Sequence, residues 1–444
     1  MKTPIYNFVS KYADSDPVRM HMPGHKGVGE LERLDITEVA GADSLYEADG
    51  IIRESEEYAS ELFGARTFYS AEGSSLSIRA MLYLLSLYAK KCGRPCKVLA
   101  ARNIHKSFVG AAGLLDLPVE WLVPKSGASY LSSGVDADFV EDVLSSAREL
   151  PLAVYLTSPD YLGVQLQISR IADVCHRYGV LLLVDNAHGA YLKFLNPSRH
   201  PIDLGADMCC DSAHKTLPVL TGGGYLHISK NTDSLFADNA KRALALFGST
   251  SPSYLILQSL DRANAYIADG YREKLAEFSA KVERLKCEIA DNGYSLFGDE
   301  PLKITVRAKK HGYTGYELAK RLSLCGIVAE FCDPDYLVLM LTPANTDKDL
   351  MRVKEALLSI PRLEEIKTDA PSLPLPKRAV GIREALLSSY VMLPTDAAVG
   401  KILAAVTVGC PPAVPMLVSG EVIDDDCIDA FRYYGIEEVA VICD

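Results

Sequence analysis

The stretch VLLLVDNAHGAY, residues 180–191, decides the fold because it joins a strand that is apolar on both faces to a run of polar side chains. Such a strand is typical of a parallel sheet covered by helices on both sides. Five more strands are predicted, several of them also apolar on both faces, with helical patterns between them, at KVLAA (97–101), VEWLVP (119–124), LAVYLTSP (152–159), DMCCDSAH (207–214) and GGYLHIS (223–229). The sequence therefore predicts an α/β fold with a mainly parallel sheet, whose ligands bind at the carboxyl ends of the strands.

Composition limits the class of protein. A chain of 444 residues with a net charge of −12 suits two or three domains and argues against nucleic acid or an anionic membrane as a partner. Eleven cysteines without a CxxC spacing indicate reduced thiols, and no metal site is predicted from them. The N-terminus lacks a signal-peptide pattern and no apolar run reaches spanning length, so a cytoplasmic protein is expected.

The second half of the chain predicts further elements. Residues 251–293 have the apolar spacing of one or two long helices. The strands PLKITVRA (301–308) and YLVLMLTPA (336–344) flank a helix at TGYELAKRLSLCG (314–326), which indicates a smaller α+β region. The proline-rich segment DAPSLPLPKRAVG (369–381) then separates a last unit.

Two polar clusters at predicted strand ends each allow more than one interpretation. Gly73, Ser74 and Ser75 precede a helical run, where they would bind an anion such as phosphate or simply cap the helix. His105 follows the strand KVLAA, where an imidazole would stack on a flat ligand, act as an acid or base, or be a surface or capping residue.

Asp185 and Lys215 are the most informative pair. Asp185 ends the apolar strand, where a carboxylate needs a cation or hydrogen-bond donors, or has a structural role such as capping the next turn. Lys215 lies thirty residues later in a largely apolar stretch, which favours a nucleophilic amine that forms a Schiff base, with a buried ion pair as the alternative. Pyridoxal phosphate needs such a lysine and a carboxylate facing its ring nitrogen, and Ser212 and His214 would join the phosphate site. Glycines 222–224 are expected only to let the chain turn tightly into the next strand.

Seven motifs occur in the order HMPGHKG, GSS, RNIHKS, TSPDYLG, DNAHGAY, DSAHKTLP and STSPSYLILQSLD. They resemble the major domain of the Orn/Lys/Arg decarboxylases, which are pyridoxal-phosphate enzymes of the aspartate-aminotransferase fold. REALL, AVGKILA and CPPAVPMLVSGEVI resemble that family's C-terminal domain. The chain is similar to the shorter members, which lack a separate N-terminal wing domain.

The resemblance implies a fold of PLP-dependent transferase type I with a mainly parallel sheet of the seven-stranded kind. It implies an N-terminal arm at 1–45, a large cofactor-binding domain at 46–295, a small α+β domain at 296–370 and a C-terminal family domain at 371–444. It also implies homodimers or higher assemblies with shared sites, to which the arm contributes.

The resemblance assigns roles to twelve residues. Lys215 is the Schiff-base lysine, Asp185 the partner of the ring nitrogen, His105 the ring-stacking histidine, and His188 its neighbour. Cofactor phosphate contacts are implied for Ser74, Ser75, Ser212 and His214, contacts to the partner subunit's cofactor for Thr250 and Ser251, and substrate contacts for Glu421 and Tyr161.

Three residues depart from the family pattern. Asn186 replaces an acidic residue, Asp160 replaces the threonine of a Pro-Thr-Tyr turn, and Glu72 replaces an asparagine. None of them is the lysine, the aspartate or the ring-stacking histidine. They leave cofactor binding intact and bear on which substrate side chain is recognised.

The expected reaction is decarboxylation of arginine, lysine or ornithine to the corresponding amine, as in polyamine biosynthesis, with His188 or Lys215 as the proton donor. Two alternatives stay open. One is an aminotransferase or lyase on the same fold, which would release a keto acid in place of carbon dioxide. The other is a non-catalytic relative that acts as a binding or regulatory protein.

Overall fold

The structure is a computed structural model that describes residues 1–123, 130–406 and 412–443. Two residues of the CPPAVPMLVSGEVI motif, Cys410 and Pro411, lie outside this part of the chain. The helices are α1 (Pro4–Asp14), α2 (Ile51–Phe63), α3 (Gly73–Cys92), α4 (Lys106–Leu115), α5 (Ala137–Ser146), α6 (Ile168–Arg177), α7 (Ala213–Thr216), α8 (Ser234–Asp238), α9 (Ala240–Phe247), α10 (Tyr254–Ala268), α11 (Tyr271–Asp291), α12 (Gly315–Leu324), α13 (Asp347–Ser359), α14 (Ile382–Leu387) and α15 (Asp425–Tyr433).

The strands are β1 (Arg66–Ser70), β2 (Val98–Ala101), β3 (Val119–Leu122), β4 (Ala153–Thr157), β5 (Leu181–Asp185), β6 (Met208–Asp211), β7 (Gly224–Ile228), β8 (Leu296–Phe297), β9 (Lys303–Arg307), β10 (Phe331–Cys332), β11 (Tyr336–Met340), β12 (Tyr390–Pro394), β13 (Leu403–Ala405) and β14 (Glu438–Ile442). The six strands predicted around residues 97–229 are confirmed. Residues 254–291 contain two helices, which are separated at Gly270, whose φ is +70°.

Contacts divide the chain into two units. The first comprises Met1–Cys96, Leu144–Ser158 and Ile168–Leu275, and the second comprises Lys97–Val143, Pro159–Gln167 and Ala276–Asp444. The predicted boundaries at residues 45, 295 and 370 are not tested by this division and stay a prediction.

The first unit contains five strands of a large sheet, in the order β1-β7-β6-β5-β4. β4, β5 and β6 are parallel, whereas β7 runs antiparallel to both β6 and β1. Leu182, Leu183 and Val184 of β5 are fully buried, as expected of a strand covered on both faces. The predicted α/β class with a mainly parallel sheet is confirmed.

The second unit contains the parallel pair β2 and β3 and two smaller antiparallel sheets, ordered β10-β11-β9-β8 and β12-β14-β13. Helix α12 begins with a capping box between Thr314 and Glu317. In the part of the chain that the structure describes, no helix is both long and apolar enough to span a bilayer.

Candidate active site

The first unit brings several polar segments to one edge of its sheet. β5 ends at Asp185 and β6 ends at Asp211, and these parallel strands end side by side, with Asp185 in register with Cys210. β1 points the same way and leads into Gly73, while the antiparallel β7 starts at this edge with Gly224. The topology alone therefore places the predicted cofactor residues of these loops next to one another.

Lys215 lies on the single helical turn α7, directly after β6. Its Nζ is 3.0 Å from Nε2 of His188, which is buried just beyond the end of β5. At this distance the ammonium donates to an unprotonated Nε2, so a proton can pass between the two side chains. The structure brings Lys215 and His188 together.

Asp185 is buried at the strand end. One carboxylate oxygen accepts the N–H of Ala187 at 3.1 Å and the thiol of Cys210 at 3.6 Å. Burial raises the pKa of Asp185, and the positive charge of Lys215 offsets part of that rise. Cys210 was not predicted as part of the site, although its place beside Asp185 follows from the strand register.

The loop between β1 and α3 forms a polar cradle with α7. Gly73 has a φ of +64°, and a Cβ there would lie 3.4 Å from the His214 ring. The Ser212 hydroxyl donates to the Ser74 hydroxyl at 2.9 Å and accepts the Ser74 N–H at 3.3 Å. Ser75 follows in the first turn of α3 and is half-buried. Hydroxyls and backbone N–H groups at the start of a long helix are suited to a phosphate.

His214 is held by the glycine run. Its Nδ1 lies 2.8 Å from the carbonyl of Gly223, and because a carbonyl can only accept, Nδ1 carries the proton. Burial lowers the pKa of His214, and this carbonyl opposes the shift. The Gly222 carbonyl accepts the N–H of Gly73 at 2.6 Å. The run thus supports the polar cradle in addition to turning the chain.

A buried hydrogen-bond cluster behind the site was missed from the sequence. One carboxylate oxygen of Asp211 accepts from His200 and His227, each at 3.1 Å, and the other accepts from the Asn186 amide at 2.6 Å. Burial favours a higher pKa for Asp211, but the two histidines outweigh it and hold the pKa well below its usual range. These partners are far apart in sequence, so their spacing carried no signal.

The same cluster includes a group that could hold a metal ion. Potential ligand atoms of His200, Cys209 and Asp211 lie within 4.8 Å of one another. The hydrogen bonds already satisfy the Asp211 carboxylate, so they account for the arrangement without an ion.

Thr250 and Ser251 lie exposed in the loop between α9 and α10. The neighbouring Ser249 donates its N–H to the carboxylate of Glu72 at 2.8 Å. Because Glu72 directly precedes Gly73, this bond ties the loop to the start of α3 in the same chain. Glu72, which departs from the family pattern, therefore holds the loop between α9 and α10 through a hydrogen bond to its carboxylate.

His105 lies in the second unit, as the N-cap of α4. Its Nδ1 accepts the N–H of Ser107 at 3.2 Å, which places the proton of a neutral ring on Nε2. The capping interpretation of His105 is therefore correct as a description of its local contacts.

The predicted substrate residues are also in the second unit and are buried. The hydroxyl of Tyr161 donates to Glu330 at 2.7 Å. Glu421 forms a two-pronged ion pair with Arg102 at 2.8 and 3.1 Å. Asp160 accepts two backbone N–H groups of its own turn, at Leu162 and Val164, so this departure from the family pattern builds the turn.

The residues of the first unit fit pyridoxal phosphate by their chemistry. Lys215 would supply an amine for the aldehyde, and Asp185 would supply a buried carboxylate for the ring nitrogen. Ser74, Ser212 and the start of α3 supply donors for the phosphate, around a Gly73 that leaves space for it.

Solved structures share this fold. The lysine decarboxylase of Francisella novicida superposes with a TM-score of 0.80 at 17% identity, covering 99% of this chain and 81% of its own. A serine palmitoyltransferase of Sphingomonas wittichii gives a TM-score of 0.56 at 15% identity, covering 80% and 83%. The fold is that of the PLP-dependent fold type I enzymes, as predicted.

Sequence comparison identifies the family. Residues 3–297 match the Orn/Lys/Arg decarboxylase, major domain, family. The uncharacterized protein YaaO of Bacillus subtilis is 30% identical, with 96% of this chain and 93% of YaaO covered. An arginine decarboxylase of the same organism is 27% identical, with 96% and 92% covered. The chain belongs to the Orn/Lys/Arg decarboxylase family, and the prediction of an enzyme of this amino-acid decarboxylase class is confirmed.

Proposed function

We propose that this protein binds pyridoxal 5′-phosphate through Lys215 and decarboxylates a basic amino acid to an amine and carbon dioxide. The central observation is the contact of 3.0 Å between Lys215 Nζ and His188 Nε2, next to the buried Asp185. When bound, the cofactor would supply the electron sink that makes loss of carbon dioxide from Cα possible. The name of one fold neighbour, "SPT with PLP", records that cofactor in that protein.

Each side chain of the first unit would contribute one function. Lys215 would hold the cofactor covalently, and the negative charge of Asp185 would keep a proton on the ring nitrogen. Ser74, Ser75, Ser212 and His214 would bind the phosphate. His214 would then donate from Nε2, because a phosphate dianion favours the doubly protonated ring that burial otherwise disfavours.

Proton return to Cα falls to the Lys215 and His188 pair. The amine and the imidazole share a hydrogen bond, so either can deliver a proton that the other replaces. His105 would stack on the cofactor ring. Thr250 and Ser251 would serve the partner subunit's site in a homodimer or larger assembly of a cytoplasmic enzyme.

Arginine is the first substrate to assay, followed by lysine and ornithine. Relatives over nearly the whole chain include proteins named arginine decarboxylase, and solved structures of the same fold are named lysine decarboxylase. The net charge of −12 is compatible with a cationic substrate.

The test is a panel of these three amino acids and a neutral control such as leucine, assayed for carbon dioxide and amine with added pyridoxal phosphate. We expect turnover of a basic amino acid that Lys215→Ala abolishes. Lys230→Ala, which removes an exposed lysine, is the matched control and should keep full activity. Release of a keto acid without carbon dioxide would favour an aminotransferase. A protein that binds no cofactor would favour a non-catalytic relative.

A further inference from the structure

The segment that carries His105 is held from both sides by residues close to the C-terminal end of the chain. Residues 102–105 connect β2 to α4, and both this segment and residues 413–421 belong to the second unit. Three residues before His105, Arg102 donates to the carbonyl of Met416 at 2.9 Å. One residue after it, the N–H of Lys106 donates to the carbonyl of Ala413 at 2.9 Å. His105 therefore lies between two points of attachment to residues 413–421.

The ion pair between Arg102 and Glu421 is the strongest of these attachments. Both nitrogens at the tip of the guanidinium contact the carboxylate, at 2.8 and 3.1 Å, and the side chains are only 4% and 6% exposed. The carboxylate also accepts the N–H of Val418 at 2.7 Å. The guanidinium carbon of Arg102 lies 5.0 Å from the centre of the Trp121 ring. A two-pronged, hydrogen-bonded pair of this kind fixes direction as well as distance.

Burying both charges is costly, so the pair is a poor source of net stability. What it does provide is geometry, because the guanidinium can satisfy the carboxylate and the Met416 carbonyl together in only one arrangement. The carboxylate of Glu421 is occupied by Arg102 and Val418, in a position where a substrate contact was expected from the sequence.

We propose that Arg102 and Glu421 are positioning residues that hold His105 in the orientation needed to stack on the cofactor. Glu421 thus acts on the cofactor through Arg102 and the 102–105 segment, in place of touching the substrate. The inference rests on the proposed function, since it presumes that His105 stacks on pyridoxal phosphate.

The experiment measures the dissociation constant of pyridoxal phosphate from the apoenzyme, by visible absorbance, in Glu421→Gln, His105→Ala and the double variant. Glu421→Gln should weaken cofactor binding by about tenfold, which corresponds to about 1.4 kcal/mol. In the His105→Ala background, Glu421→Gln should change the dissociation constant by less than about twofold, because the ring that Glu421 helps to position is then absent. With saturating cofactor, the KM of Glu421→Gln for the substrate should stay close to that of the wild type.

The control is Asp396→Asn, which breaks an exposed ion pair with Arg432 in the same unit, with side chains 69% and 59% exposed. It should leave cofactor binding unchanged. If Glu421→Gln does not fold, Arg102→Met with Glu421→Met removes both buried charges together and is expected to fold. This pair should still bind the cofactor about tenfold more weakly.

Three results would overturn the proposal. The first is a raised KM with unchanged cofactor binding, which indicates a substrate contact. The second is a Glu421→Gln effect on the dissociation constant of the cofactor that is as large in the His105→Ala background as in the wild type. The third is a folded neutral pair with wild-type cofactor affinity. A wild-type protein that binds no pyridoxal phosphate would instead refute the proposed function, so the two failures are distinguishable.

Discussion

At the scale of single residues, the site depends on how the hydrogen bonds and charges around each buried carboxylate stabilise its negative charge. Burial raises the pKa of Asp185, although the charge of Lys215, the N–H of Ala187 and the thiol of Cys210 favour its charged form. Asp211, one strand away, accepts three hydrogen bonds, and its pKa is lowered. Asp211 is therefore satisfied within the protein, whereas Asp185 gains from a positively charged ligand group.

Replacing Asp185 with Asn should remove the charge that stabilises a protonated ring nitrogen. We expect the turnover number to fall by about 10²-fold or more, since loss of one preorganised electrostatic partner has this effect in other enzymes. Steady-state kinetics with saturating cofactor would measure it. The control Asp238→Asn removes an exposed carboxylate of the same unit and should keep normal rates. Near-normal turnover in Asp185→Asn would mean that another group faces the ring nitrogen.

Replacing Asn186 with Asp tests the buried cluster. The new carboxylate would lie 2.6 Å from a carboxylate oxygen of Asp211, so one proton must be shared and its folded pKa is raised above the unfolded value. A raised folded pKa means that stability is present at low pH and is lost as pH rises through that value. We expect a loss of about 1–3 kcal/mol in the free energy of unfolding at pH 8, and a smaller loss at pH 5.

Urea unfolding at the two pH values measures this difference. Asn231→Asp, at an exposed position, is the control and should show almost no loss at either pH. An equal loss for Asn186→Asp at both pH values would show that the two carboxylates do not share a proton.

The sequence predicted the pairings that follow from strand ends and missed those that follow from packing. Asp185 and Lys215 could be placed at one edge because parallel strands end together. The roles of His200 and His227 could not be predicted, because their shared partner Asp211 is defined only when a loop and β7 come together around it.

At the scale of elements, the glycine run before β7 makes the close packing of the cradle possible. A Cβ at Gly224 would lie 2.8 Å from the Asp211 carbonyl oxygen and 2.9 Å from the Gly73 carbonyl carbon. Both are backbone atoms, which cannot rotate away as a side chain can. The start of β7 is therefore fixed between β6 and the beginning of α3.

Gly224→Ala should consequently cost about 1–3 kcal/mol of stability, because backbone must shift to admit the methyl group. It should also weaken the binding of pyridoxal phosphate, since the shift moves Gly73 and Asp211. Chemical unfolding and cofactor titration would measure the two effects. Gly110→Ala is the control, because its Cβ would meet nothing within 4 Å inside helix α4. It should be neutral or stabilising, and unchanged stability in Gly224→Ala would refute the packing argument.

Elements with a strong apolar pattern were predictable, and exposed ones were not. β5 is apolar on both faces and was identified from its sequence alone. The edge strand β12 reads YVMLP, which is apolar throughout although four of its five residues are exposed, so its sequence lacks the alternation that marks a half-buried strand. Its place in a sheet depends on pairing with β14, at the far end of the chain.

At the scale of the whole molecule, the proposed shared sites make a prediction about mixed assemblies. Lys215→Ala removes the cofactor lysine, and Ser251→Trp places a large ring in the loop that is proposed to reach the partner subunit. Each variant alone should be inactive. Because each mixed dimer contains one site free of both substitutions, unfolding and refolding the two variants together should restore partial activity.

Activity of the refolded mixture, against each variant refolded alone, is the measurement. A mixture that stays inactive, although wild-type protein refolds to full activity under the same conditions, would argue that Thr250 and Ser251 serve the site of their own chain. That outcome would agree with the hydrogen bond that links the N–H of Ser249 to Glu72 of the same chain.

The central claim is that Lys215 carries pyridoxal phosphate. The most direct measurement is borohydride reduction of the protein after incubation with the cofactor, followed by peptide mapping by mass spectrometry. We predict one phosphopyridoxyl group per chain, located on Lys215 in the peptide that contains DSAHKTLP. Stoichiometric labelling of a different lysine, or no label at all, would contradict the account.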